Sequence, residues 1–158
     1  MKKLILTLAM VLACAVGFAQ NPAFRKFAEN FGKETTFAYA YIGNRPVLLV
    51  THEVFGDFAH DDLQAIAAAV FTLDADGKIV SLGSVRSQGT AYPVSVWQNK
   101  LIVAGHHFVS IYDIRVDDDP DLILFAHEEG DYDNPRLKDL FRTFDQATPL
   151  KFRHSLPQ

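Results

Sequence analysis

Two helix starts of the same form, Asn21-Pro22 and Asn134-Pro135, bracket a long run of strand-like segments, and this limits the folds open to the chain. Asn is a preferred N-cap. Pro fits the first helical position, where its missing N–H would have no partner. Phe24, Phe27, Ala28 and Phe31 follow the first start at helical spacing, and Gly32 supplies a stop. Leu137, Leu140, Phe141 and Phe144 follow the second. Each helix therefore has one apolar face that needs a sheet to cover it.

The intervening pattern is that of strands. Residues 36–42 alternate, with aromatics at Phe37, Tyr39 and Tyr41, and Gly43-Asn44 is a turn signal. Residues 47–50 form a short apolar run, as expected of a strand buried on both faces. Residues 65–73 lead through Asp74-Ala75-Asp76-Gly77 into residues 78–85, which fits a tight hairpin. Residues 93–97, 101–104, 108–114 and 122–126 complete eight candidate strands. The connections are short, so antiparallel meanders are expected, with an acidic insertion at residues 55–63 as the exception.

The chain has 158 residues, the size of one domain, with 49% apolar and 22% charged residues. That composition is globular rather than disordered. The net charge is -4 and no basic patch stands out, which argues against a nucleic-acid partner. A single cysteine, Cys14, excludes an internal disulfide framework and any multi-cysteine zinc site.

Residues 1–19 read as a secretory signal peptide. Lys2 and Lys3 precede an apolar stretch at 4–16, and Gly17-Phe18-Ala19 places small residues at the -3 and -1 positions of a cut before Gln20. The apolar run is shorter than the roughly 20 residues a spanning helix needs, so no transmembrane span is expected in the mature chain. Residues 20–158 then form one β-rich domain, exported to the periplasm or beyond the cell. An alternative processing site exists: Val11-Leu12-Ala13-Cys14 resembles a bacterial lipobox, which would lipidate Cys14 and anchor the protein.

The segment Asn44-Arg45-Pro46-Val47-Leu48-Leu49-Val50-Thr51-His52-Glu53 is similar to Asn99-Lys100-Leu101-Ile102-Val103-Ala104-Gly105-His106-His107. Each follows an alternating strand and precedes a strand pair. Over residues 37–130 this rhythm resembles two blades of a β-propeller. The resemblance implies a mainly β fold of α+β character, with about eight antiparallel strands in two four-stranded, blade-like meanders and a helix at each end. Closed propellers use 4 to 8 blades. Two blade-like sheets would thus pack on each other, curl into a barrel, or assemble between copies. Propellers share a scaffold rather than a chemistry, so no functional residue follows.

Histidine and carboxylate recur at strand ends: His52-Glu53, His106-His107 and His127-Glu128-Glu129. If those ends share one rim, His52, His106 and His127 could hold zinc, with Glu53 or Glu128 as the general base of a metal-assisted hydrolase. Two acidic loops, Asp57 with His60, Asp61 and Asp62, and Asp117-Asp118-Asp119-Pro120-Asp121, offer oxygen clusters suited to calcium. The polar loop Ser87-Gln88-Gly89-Thr90 lacks the glycine-flanked elbow of a nucleophilic serine. Tyr39, Tyr41, Tyr92, Trp97 and Tyr112 could form an aromatic face for a glycan or peptide. Export with no established catalytic motif makes a non-catalytic module binding a ligand or another envelope protein the leading expectation. Assembly into an oligomer is compatible with it.

Overall fold

The computed structural model describes residues 21–115 and 117–154; the candidate leader and Cys14 lie outside them. Helix α1 spans Pro22–Ala28, and its Asn21 cap accepts a hydrogen bond from the Ala23 amide. Strands β1 (Thr36–Ile42), β2 (Arg45–Thr51), β5 (Ala67–Leu73) and β6 (Ile79–Arg86) form an antiparallel sheet, sheet I, in the order β1-β2-β5-β6. Strands β7 (Ser95–Trp97), β8 (Lys100–Gly105), β9 (Phe108–Ile114), β10 (Leu122–Glu129) and β11 (Thr148–Pro149) form sheet II, in the order β10-β9-β8-β7-β11. Helix α2 spans Pro135–Asp145, with the Asn134 side chain accepting from the Arg136 and Leu137 amides.

The fold is mainly β, antiparallel and bracketed by two helices, but the sheets are not two of four strands. The acidic insertion is itself a hairpin, β3 (Val54–Asp57) with β4 (Asp62–Ala65). Sheet II gains a fifth strand, β11, whose two residues pair with Val96 and Ser95 of β7. A two-residue strand ending in proline carries no periodicity, which is why the sequence does not announce it.

Strand alternation builds a stack of four layers. Val47 and Leu49 of β2 and Leu101 and Val103 of β8 point between the sheets, into one core with Ile42, Val70, Leu82 and Phe152. Leu48 and Val50 point the other way, to Phe24 of α1. Ile102 and Ala104 likewise point toward Leu137 of α2. The helices therefore cover the outer faces of the two sheets, α1 through tilted and edge-on ring contacts such as Phe27–Phe71 at 4.8 Å. Among the described residues no helix is long and apolar enough to cross a membrane.

The hairpins β1–β2 and β7–β8 turn alike. Gly43 and Asn44 have φ of 54° and 64°, and Gln98 and Asn99 have 46° and 57°. Positive φ at both central residues is the requirement of a type I′ turn, whose twist suits a two-residue hairpin. The two turns also touch, the Gly43 amide donating to the Asn99 carbonyl at 3.0 Å. The chain end fastens the layers. Leu150 donates to Val94, Phe152 to Leu63, and Arg153 exchanges two backbone bonds with Phe37.

Glycine at 43 is needed twice over, for its φ and for space: an added Cβ would lie 2.6 Å from Asp113 Oδ1 and 2.9 Å from the Ile114 carbonyl. Gly77 has φ of +75° but open space around it. Gly77→Ala is expected to cost about 1 kcal/mol, the left-handed penalty alone. Gly43→Ala is expected to cost about 3 kcal/mol, because backbone must also shift. Urea denaturation midpoints of the two variants compare these costs directly.

Candidate functional site

His52 follows the C-terminal end of β2, an interior strand of sheet I, with its Nδ1 3.3 Å from the Glu34 carbonyl. Beside it Glu53 meets Arg86 across the sheet. The guanidinium donates through both terminal nitrogens to the two carboxylate oxygens, one contact being 2.8 Å from Nη1 to Oε2. This fork holds the Glu53 carboxyl below its ordinary range and raises Arg86. His52, Glu53, Arg86, Ser84, Ala67 and Ala69 surround an open hollow of about 240 Å³. It forms where the outer face of sheet I carries small side chains.

His106 lies in the β8–β9 turn. The hydroxyls of Tyr92 and Tyr132 stand 3.4 and 3.3 Å from its Nδ1. Burial is the first cause that raises the Tyr92 hydroxyl above its ordinary pKa, with Tyr132 adding to it. His127 sits on β10 opposite Ser110 of β9, and Ser110 Oγ is 2.8 Å from its Nδ1. Glu129 Oε2 is 3.8 Å from its Nε2. Glu128 faces the other way and lies 3.8 Å from Arg136 of α2.

The candidate zinc ligands His52, His106 and His127 are thus held by three different sets of neighbours. Among the described residues, no three or more of His, Cys, Asp and Glu gather where they could hold a metal ion. The physical reason is strand order: β2 belongs to one sheet, and β9 separates β8 from β10 in the other. The acidic loops are similarly engaged. Asp57 bonds His60 at 2.6 Å, Asp61 meets His154 at 3.1 Å, Asp62 meets Lys151 at 3.0 Å, and Arg115 lies 3.7 and 3.8 Å from Asp117 and Asp121.

Ser110, His127 and Glu129 form a hydroxyl–imidazole–carboxylate row that sequence reasoning missed, because only the cross-strand register and a bulge between Leu124 and Ala126 bring it together. Ser110 is 4% exposed and sits in a strand paired on both sides. Its surrounding backbone is committed to the ladders, so the row acts to satisfy a buried hydroxyl.

The candidate aromatic face is divided. Tyr39 packs on Phe24 of α1 at 5.9 Å, Tyr92 and Trp97 pack in the α2 layer, and Tyr112 packs between the sheets. Tyr41 alone of the five is exposed, at 39%. The larger exposed apolar group lies elsewhere. Ile123, Leu124 and Phe125 of β10 are 37%, 56% and 58% exposed, and the Lys100 ammonium sits 4.8 Å over the Phe125 ring.

No family model, no curated protein and no solved structure matches this chain. β10 is an edge strand, with β9 on one side and no described strand on the other. The other edges are treated differently. β1 is met by Arg153, the edge of sheet II opposite β10 is the two-residue β11 ending in Pro149, and β6 exposes Ser81, Gly83, Ser84 and Arg86. Polar or covered edges resist pairing with another chain, whereas an exposed apolar edge invites it.

Tyr39 carries a testable cost. Its hydroxyl is buried without a hydrogen-bond partner, and burial pushes its pKa up to about 12, against a smaller lowering by Arg25. The neutral phenol is the form the fold accepts. Its contribution is whole below pH 10 and is lost as pH rises through about 12. Tyr39→Phe is expected to raise stability by about 1 kcal/mol at neutral pH, by removing an unsatisfied polar group. The variant is also expected to lose less stability between pH 10 and 12 than the parent. Denaturation curves over that range check both.

Proposed function

We propose that the protein is an exported, non-catalytic binding module of the bacterial envelope, and that it engages an extended polypeptide segment along β10. The observation that carries this reading is the run Ile123, Leu124 and Phe125, three adjacent large apolar side chains exposed on an open edge strand. An edge strand offers a row of backbone donors and acceptors to an incoming chain. Side chains on the two faces then supply selectivity. Leu124 is directly opposite the half-buried Tyr112 and lies on the same face, while Phe125 lies beside Lys100, so an added strand would find apolar surface along its length.

The engagement of the candidate reactive groups also favours binding over catalysis. Glu53 is forked to Arg86, Glu128 lies by Arg136, and His127 is bonded to Ser110. The signal-like segment at residues 1–19 supports export, to the periplasm or outside the cell. A lipid on Cys14 would keep the same module at a membrane surface. Intact mass of protein exported by a bacterial host separates the two, by a chain starting at Gln20 or at a lipidated Cys14.

A phage-displayed library of random twelve-residue peptides, selected on the folded protein, tests the binding surface. Selected peptides are expected to slow amide exchange along residues 122–129. They are expected to bind at least about tenfold more weakly to Leu124→Lys, a loss of about 1.4 kcal/mol. Thermal melts establish that the variant is folded. Peptides that protect other segments and ignore Leu124→Lys would overturn the reading.

A further inference from the structure

The charge around β10 narrows the partner. Residues 117–133 hold Asp117, Asp118, Asp119 and Asp121 before the apolar run and Glu128, Glu129, Asp131 and Asp133 after it, and contain no lysine or arginine. Eight of the chain's 19 acidic residues therefore flank one open edge. All but the half-buried Glu128 are exposed. The nearby cations are already engaged: Arg115 with Asp117 and Asp121, Lys100 with Asp113 at 3.4 Å, and Arg136 with Glu128. The edge thus presents an apolar centre between two negative ends.

We infer that the segment accepted by β10 is an extended strand with an apolar centre and lysine or arginine on both flanks; this rests on the edge-binding reading above. The same charges disfavour a second copy of this chain. Pairing two β10 strands, in either direction, sets an acidic flank of one against an acidic flank of the other, and like charges facing across strands oppose pairing. Basic flanks instead meet carboxylates at both ends of the added strand. That complementarity speeds encounter and selects among apolar strands that the ladder alone would treat alike. It also weakens with salt, because the flanking carboxylates are solvent-exposed.

The probes are two synthetic peptides with the same alternating valine and threonine centre, one flanked by lysine pairs and one by glutamate pairs. Each is titrated into the folded protein and followed by amide chemical shifts of residues 122–129. The lysine-flanked peptide is expected to bind at least about tenfold more tightly than its counterpart, with the difference shrinking severalfold when ionic strength is raised from 0.05 to 0.5 M. In the combined variant Asp118→Asn, Asp119→Asn, Asp131→Asn, Asp133→Asn, the preference is expected to fall to about threefold or less. Equal binding of both peptides along β10 would overturn the charge inference and leave the edge reading standing. Shifts from neither peptide would overturn both. A sedimentation shift to a dimer that Leu124→Lys abolishes would make a second copy the occupant and overturn the basic partner.

Discussion

Strands β2 and β8 have no solvent face, and the rest of the molecule is arranged around that fact. Leu48 and Leu49 are adjacent and both fully buried, and so are Leu101 and Ile102. Adjacent strand residues point to opposite sides, so each strand must be covered twice. Packing sheet I on sheet II covers one side. The other side is left to the helices, α1 over β2 and α2 over β8. Complete burial of such side chains is worth about 1.5–3 kcal/mol each, far more than a helix of seven residues contributes on its own. The sheets therefore hold α1 in place, rather than the reverse.

Much of this was legible in the sequence, because the governing signals are local. The Asn-Pro starts cap both helices as read, and the alternation at 36–42 and 108–114 marks strands of those same bounds. The short apolar run at 47–50 is buried on both faces. The errors fall where pairing partners decide the outcome. Residues 55–63 read as an insertion because their hairpin turns through residues 58–61, with Asp61 at φ of 52°, and its strand β3 carries Gly56 at φ of 124° close to the Asp62 carbonyl instead of an alternating pattern. Residues 122–126 are as apolar as 47–50, yet one run lies in the interior of a sheet and the other on its edge. Composition cannot separate those positions; only strand order does.

The candidate site shows the same limit more sharply. His52, His106 and His127 share a place in the sequence pattern, at or near strand ends, but each imidazole answers to a different neighbour. Ser110 and His127 are 17 residues apart and become partners through cross-strand register. The acidity of the Asp117–Asp121 loop is plain in the sequence, but its relation to an open edge depends on strand order. Exposed apolar residues and clustered like charges have separate explanations when taken singly. Set along one strand, they describe a surface that excludes its own kind and admits an opposite charge.

The segment from Thr148 to Arg153 touches all three sheets, through β7, Leu63 and Phe37. Phe152 is fully buried in the core between the sheets. A ribosome releases that residue after strands β1 to β11 have emerged. Until then the inner layer lacks one of its largest side chains, and the β1 and β7 edges lack their covering bonds. The earlier strands therefore stay short of their final packing until this segment joins them. Whatever meets the chain before that segment arrives meets two sheets that are not yet tied together.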